Sequence, residues 1–495
     1  MKRIFCLLLA ALMLVSAVVL CACGDEEEES SVVTDEKPKE DEALVPTLGK
    51  TDAHKGKALR VLSSYEEGIM FCKEPFGATE TNSEPVNEAC LDRLTLLEQE
   101  YGIKVEAEFI DPWGTILDRV EQDYLTGTTS YDIVSTGLMD LANLAAQGFF
   151  LDVNSIENSN LHLNESWWDS VSHKDMSIAG KLFFLTGDLL VMDDEYTTCM
   201  FYNKGLVNDY RLDNPSDLVL QGTWTLDKMY EMAQTVAHDE DDGVMSVTGD
   251  DVWGIVCVLF DTYKLVMGAD APQVVKNDQD LPELKMDAEY NIKAFEKVKE
   301  IMKDKTVTAV REDYYAWDNP DASIVVNQFY DGKALFMMNV VSAVNSTEMR
   351  EANISYGILP MPKFDENQEN YATTNDPYRF YCVSIMQNTP DVEFVTFALE
   401  AMAYLGEKMV TPEYYDRTLK YKRFPDDTDS PEILDILFSN RLIDISVAYN
   451  WDDCIQYYNN IMFGNGDVVS YVEGKRSAFE AAMQLTLDDF AGLGI

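Results

Sequence analysis

Positive charge is what this 495-residue chain most lacks: 38 Lys and Arg stand against 88 Asp and Glu, a formal net charge of -50. Nucleic acid is bound by Lys and Arg that neutralise phosphates, so the balance argues against it as a partner. An anionic membrane surface is repelled by the same charge, which serves solubility. Histidine is scarce too, and His54, His162, His173 and His238 form no HExxH pair. No GxSxG supplies the nucleophile elbow of the hydrolases. None of the GK dipeptides has the upstream glycine of a P-loop, and Gly464-Asn465-Gly466 starts a GxGxxG that fails at Val469. No CxxC pair occurs among the nine cysteines, which argues against zinc. Cys199, Cys257 and Cys382 lie in apolar, strand-like runs as expected buried thiols, and the pairing of Cys72 with Cys90 is left open.

Long apolar runs are also missing, with one exception. Ile4 to Leu20 is apolar apart from Ser16 and follows Lys2 and Arg3, the pattern of a signal peptide. At about 17 residues it stands at the lower limit of a spanning helix, which is the alternative reading. The run closes in Leu20-Cys21-Ala22-Cys23-Gly24, which resembles the lipobox of bacterial lipoproteins, with Ala22 and Leu20 at minus one and minus three and Cys21 departing from the usual minus-two residue. The resemblance implies removal of residues 1–22 and diacylation of Cys23. Two acyl chains, each methylene worth roughly 0.8 kcal/mol, hold a soluble body at a surface. Residues 23–56 are rich in charge and poor in aliphatics, so an acidic, solvated linker is expected there.

Over the whole chain the composition is globular, 46% apolar and 11% aromatic, and the length calls for two cores. Strand and helix signals alternate. Lys57 to Ser63 reads as a strand; Leu91, Leu94, Leu97 and Tyr101 mark a helical face ending at Gly102; Ile103, Val105, Ala107 and Phe109 alternate with charged residues as a second strand. Ile116, Val120 and Tyr124 mark the next helix, Tyr131 to Ser135 a third strand, and Leu138 to Gln147 a helix stopped by Gly148. Such alternation implies βαβ units and a mostly parallel sheet, whose ligands sit at the carboxyl ends of the strands. Ser64-Tyr65-Glu66, Asp111-Pro112-Trp113 and Ser135-Thr136-Gly137 all fall at those ends.

Five segments carry a resemblance to the family 1 extracellular solute-binding proteins, the importer-associated group that includes the maltodextrin binders. They are YDIVSTGLMDLANLAAQGFFLDV, FYNKGLV followed by QGTWTLDKMYEMAQ, FYDGKALFMMNV, YGILPMPK, and YYDRTLKYKRFPDDTDSPEILDIL. The resemblance implies the two-lobed periplasmic-binding-protein-like fold of class II, α/β throughout, each lobe a mostly parallel sheet flanked by helices, with hinge strands between. It places lobe one at residues 57–190 and 380–425 and lobe two at 191–379 and 426–495. It implies a monomer, without cofactor, that captures a small solute between the lobes and hands it to the permease subunits of an ABC importer at the extracytoplasmic face of the membrane.

Sugars present apolar ring faces edged with hydroxyls, so a sugar cleft combines flat aromatics with Asp, Glu, Asn and Arg. Tyr65, Trp113, Trp253, Tyr378 and Trp451 are the candidate platforms, although aromatics at loop mouths also simply cover sheet edges. Glu66, Asp111, Thr136, Asp188, Asn339, Arg379 and Asn450 are the candidate polar contacts. Trp167-Trp168 and Tyr457-Tyr458 are expected inside helices. A paired-carboxylate glycosidase is the competing class, since its two carboxylates are defined in space and not by motif; a non-sugar solute is the other alternative. His238-Asp239-Glu240-Asp241-Asp242-Gly243 fits an acidic turn better than a calcium loop, because His238 stands at the first ligand position and Gly249 at the twelfth. Changing Cys23 to Ala is expected to release the protein from the membrane fraction or leave its leader uncleaved, and fractionation of cells carrying Cys23→Ala checks this.

Overall fold

Leu59, Val61 and Leu62 cannot remain in water together, and they form the heart of β1 (Ala58–Ser64), each fully buried. The computed structural model describes residues 44–66, 71–111, 115–240, 243–314, 323–416, 419, 430–464 and 466–492. The leader, Cys23 and Trp113 lie outside them, as do Asp241 and Asp242 of the acidic turn. The alternating run after Gly102 is β2 (Lys104–Ile110), paired in parallel with β1. Gly102 ends the intervening helix Pro85–Tyr101 at a φ of 66°, its N–H bonded to the carbonyl of Glu98, a left-handed cap that glycine adopts without strain. The next unit is the helix Thr115–Thr126 followed by β3 (Ile133–Gly137), which lies parallel to β1 on its other side.

The second sheet starts with β4 (Thr198–Asn203) and β5 (Trp253–Cys257). A hairpin, β6 (Val274–Lys276) and β7 (Pro282–Leu284), stands apart from it. The sheet is completed by β8 (Thr308–Val310), β9 (Ala334–Val340) and β10 (Tyr356–Leu359) in the order β10-β4-β9-β5-β8. β5 runs parallel to β8 and β9, while β4 is antiparallel to β9 and β10. Then β11 (Tyr381–Ile385) returns to the first sheet, antiparallel to β3, giving the order β11-β3-β1-β2. The strands of the first sheet therefore come from residues 58–137 and 381–385, and those of the second from 198–359.

Two stretches of chain cross between the sheets, and they are tied to each other. Thr197 pairs with Asn375, the N–H of Thr198 bonds the carbonyl of Thr374 at 2.8 Å, and the N–H of Asp376 bonds that of Tyr196 at 3.0 Å. The C-terminal helix Val468–Gly492 touches both lobes: it packs on the helices Leu138–Ala146 and Glu289–Lys303, and the Phe490 ring lies 5.0 Å from that of Phe183. Among the described residues no helix is long and apolar enough to cross a membrane.

One expectation from composition fails at its edge. Residues 44–56 are not solvated linker: Val45 is fully buried with its N–H bonded to Tyr101 OH, Thr47 donates to Glu400, and the His54 ring lies 4.4 Å from that of Phe397. A single valine and a histidine suffice to dock a polar segment when a preformed hollow awaits them, and composition averages over such anchors. The described cysteines are all buried, and Cys72 and Cys90 are not joined to each other.

Trp253 opens β5 with no exposure at all, so its large side chain is part of the hydrophobic core at the second sheet. Trp253→Ala is expected to lower stability by about 3 to 5 kcal/mol, the scale of a large-to-small change in a tightly packed interior; the shift in urea midpoint checks it.

Candidate functional site

β1, β2 and β3 end along one edge, at Ser64, Ile110 and Gly137, and β11 begins there. Chain 378–380 passes so close over Gly137 that a Cβ there would stand 2.2 Å from the Tyr378 carbonyl oxygen. The glycine therefore lets the second crossing stretch lie on the sheet edge, where the N–H of Leu138 bonds the carbonyl of Phe380 at 2.9 Å. Ser64 Oγ lies 2.9 Å from Thr136 Oγ1 and 2.7 Å from Tyr381 OH, a buried polar network joining three strands. Above it Arg379 donates from Nη2 to both oxygens of Glu66, at 2.7 and 3.0 Å, and from Nε at 3.2 Å. The guanidinium also stands over the Tyr196 ring at 5.8 Å. Both side chains keep about a third of their surface exposed, 32% for Arg379 and 29% for Glu66.

The second sheet reaches the same place through the loop after β5. The Phe260 ring lies 6.0 Å from that of Tyr378 and stacks on Tyr263, whose hydroxyl meets Thr374 Oγ1 at 3.0 Å. Tyr378 itself remains 38% exposed. Asp376, two residues before Tyr378, is half-buried; desolvation raises its pKa, and Lys264 and Arg379 oppose that. Lys264 is itself buried and paired with Asp261 at 2.7 Å.

Glu195 was not anticipated from the sequence. It sits at the first crossing, fully buried, with Asn345 Nδ2 3.4 Å from Oε1 and no hydrogen-bond partner for Oε2 among the described residues. Burial pushes its pKa well up, and Glu74 and Asp194 add to this. The hydroxyl of buried Tyr414 is likewise unpartnered. The one signal in the sequence was an acidic triplet, Asp193-Asp194-Glu195, set directly before a fully buried strand.

The structure thus brings together Tyr65, Glu66, Thr136, Tyr378 and Arg379 at the edge of the first sheet. Tyr65 is half-buried, with Lys73 Nζ 3.3 Å from its ring centre. Asp111 is exposed just after β2. Asn339 is half-buried near the end of β9, with its Oδ1 taken by the N–H of Val340. Asn450 does local work: its φ is 46°, and its side chain caps the turn at Asp453 and Ile455. Asp188 lies elsewhere, half-buried beside Thr411, Asp194 and Glu407. Trp253 and Trp451 are not loop platforms. Trp253 is the first residue of a parallel strand and so stands at the opposite edge from the carboxyl ends. Trp451 is 2% exposed, stacked on Tyr449 and edge-on to Phe479, with Nε1 donating to Thr486 at 2.9 Å. Trp167 and Trp168 are buried in a turn before the helix Ser170–Met176, not inside a helix, while Tyr457 and Tyr458 are buried in the helix Ile455–Phe463. Among the described residues no cluster of His, Cys, Asp or Glu has a metal-holding arrangement.

Two helix-flanked sheets, tied by paired crossing segments, with polar and aromatic groups gathered where strand ends meet, define a two-lobed α/β protein of the periplasmic-binding-protein type. The chain belongs to the bacterial extracellular solute-binding protein family, whose model matches residues 77–410. Similar solved structures include an ABC substrate-binding protein from Listeria monocytogenes in complex with cycloalternan, at 12% identity and a TM-score of 0.56, covering 86% of this chain and 99% of that one. A cyclic alpha-maltosyl-1,6-maltose binding protein from Arthrobacter globiformis has 14% identity and a TM-score of 0.56, over 86% and 98%. A maltose/maltodextrin-binding domain from Bdellovibrio bacteriovorus bound to maltotriose has 13% identity and a TM-score of 0.53, over 86% and 100%. No curated protein matches the chain in sequence.

Burial pushes the Asp188 carboxyl up to about 7 from an ordinary 3.8, with Asp194 and Glu407 adding to it against the Thr411 hydroxyl bond. The folded chain therefore holds this proton where the unfolded chain has lost it, and stability falls as pH rises from about 4 to about 7. The melting temperature is expected to drop across that window and Asp188→Asn to make the drop shallower; a variant profile as steep as wild type would remove Asp188 from the account.

Proposed function

We propose that the protein captures a carbohydrate between its lobes and delivers it to an ABC importer, held at the extracytoplasmic membrane face by a diacylated Cys23. The observation that carries the sugar reading is the meeting of Tyr378, on the edge of the first sheet, with Phe260 from the second, beside the part-exposed Glu66–Arg379 pair. A flat apolar face next to a fixed donor fork and a carboxylate is what a pyranose ring and its hydroxyls require. The sugars named for the similar structures, cycloalternan and maltotriose, support the same class. Ser64, Thr136 and Tyr381 support the pair from below, and Trp113, which follows β2 in the chain, belongs to the same reading. The protein acts as a monomer and binds without turnover: family membership favours capture over chemistry.

A ligand that bridges both sheets gains its full contact only when the lobes approach, and closure follows from that differential contact. Closure in turn lets an importer tell loaded from empty protein. A thermal-shift screen of residues 24–495 against mono- and oligosaccharides is expected to raise the melting temperature with at least one of them, since a ligand of the folded state alone stabilises it. With that sugar, Tyr378→Ala, Arg379→Ala and Trp113→Ala should each weaken binding by roughly 1 to 3 kcal/mol. Wild-type affinity in all three would place the solute elsewhere, and shortening of a bound oligosaccharide at enzyme-like rates in time-resolved chromatography would move the protein to the glycosidases.

A further inference from the structure

Away from the Glu66–Arg379 edge, a single guanidinium touches two segments of different origin, and its own backbone pairs with a third. Arg441 stands 3.6 Å from Asp169 and 3.9 Å from Asp193 through Nη1, and Nη2 donates to Asp194. Asp169 belongs to the first lobe: its N–H bonds the carbonyl of Thr186, and the neighbouring Leu185 pairs with Val383 of β11. Asp193 and Asp194 lie on the first crossing, where Asp193 accepts from Thr186 Oγ1 and its carbonyl from Asn375. Arg441 pairs with Thr373 at the foot of the second crossing, and the helix before it, Ser430–Ser439, packs on β10 of the second sheet.

In the cluster Asp193 is buried and Asp169, Asp194 and Arg441 are half-buried, and the bonding is incomplete. The Arg441 side chain is 10% exposed, and its Nε and Nη1 have no hydrogen-bond partner among the described residues. It borders a cavity of about 290 Å³ that Trp168, Asp188 and Phe438 also line. Three carboxylates face one cation, and His173 brings no second charge, since burial pushes it down to about 4. A second set of bonds joins the same segments: Lys276 of the β6–β7 hairpin donates to the Ser177 carbonyl at 2.9 Å, Asp280 accepts from the N–H of Gly180 at 2.9 Å, and Asp175 accepts from the N–H of Ile443 at 3.0 Å. Residues 169–181 of the first lobe are thus gripped by 276–280 and 441–443 of the second.

We propose that Arg441 is a positioning residue for solute capture, a charge latch between the lobes whose strength sets how readily they change their relative arrangement. With the guanidinium present, Asp169 is drawn to the crossing segment. Without it, Asp169 and Asp194 lose the cation that favours their charged forms, beside an Asp193 whose pKa burial already raises, and the junction is left with carboxylates that repel one another or take up protons. The packed segments answer such a change by shifting as bodies, so the lobe arrangement moves and the cleft edge moves with it.

This inference rests on the reading of the chain as a two-lobed solute binder, so the first arm of its test needs no ligand. Small-angle scattering of solute-free protein is expected to show a different radius of gyration for Arg441→Gln than for wild type, with Arg441→Lys, which keeps the charge, restoring the wild-type value. Asp169→Asn combined with Arg441→Gln should show a smaller change than Arg441→Gln alone, because one repelling carboxylate has gone. For a sugar identified by thermal shift, Arg441→Gln should change the Kd by at least about fivefold, the lower end of ordinary coupling between sites. A lowered melting temperature with unchanged radius and Kd would make Arg441 a purely structural residue and overturn the proposal. No sugar bound at all, with the radius still shifted, would overturn the carbohydrate reading and leave the latch standing.

Discussion

The pairing of the two crossing segments at Thr197 and Asn375 is the constraint on which the rest depends. It fixes where one lobe hands over to the other, because the two segments bond each other's backbones at Thr198–Thr374 and Asp376–Tyr196. From that tie, Tyr196 is set under Arg379, Glu195 is drawn out of water, and Tyr378 is carried across Gly137 to meet Phe260. Neither half of the site exists without the other crossing.

Electrostatics at this junction run against the character of the chain. A surface dominated by acid tolerates its charge because water screens it, but the crossing buries Asp193 and Glu195 and half-buries Asp194 and Asp376, where screening is weaker. Three cations answer them. Lys264 and Arg379 flank Asp376, and Arg441 takes the two aspartates, leaving Glu195 with a high pKa and one oxygen unbonded. Burial of ionised groups is stabilising only when partners are complete, so this incompletely paired set is an energetic weak point placed where the two lobes meet. The fully buried Arg93 donates to the carbonyls of Leu189 and Pro75, and its Nε too has no hydrogen-bond partner among the described residues.

Between Lys57 and Gly148 the secondary structure was legible from local pattern. The period-two run after Gly102 became β2, the αL glycine stopped its helix, and Leu138 to Gly148 behaved as the apolar spacing required. The edge loops Ser64-Tyr65-Glu66 and Ser135-Thr136-Gly137 were legible for the same reason, since parallel strands put their carboxyl ends on one side. Local pattern failed where a residue's fate was set by something distant. Trp451 looked like a loop aromatic because nothing near it in sequence announces the helix Val468–Gly492, which covers it and supplies Thr486. Val45 looked like linker because its hollow is built by Tyr101 and residues far beyond it.

What the sequence by itself determined was compartment signals, charge, the alternation of strands with helices and, through resemblance, the family, all of which are written in neighbouring residues or in the order of segments. What only the tertiary structure decided was which polar groups meet. Glu66 and Arg379 are 313 positions apart, Tyr378 and Phe260 stand on different sheets, and Asp169 reaches Arg441 across the junction between the lobes. The physical reason is that such pairs arise from burial shared between distant segments: the crossings bring them together, and no period or spacing along the chain records that meeting.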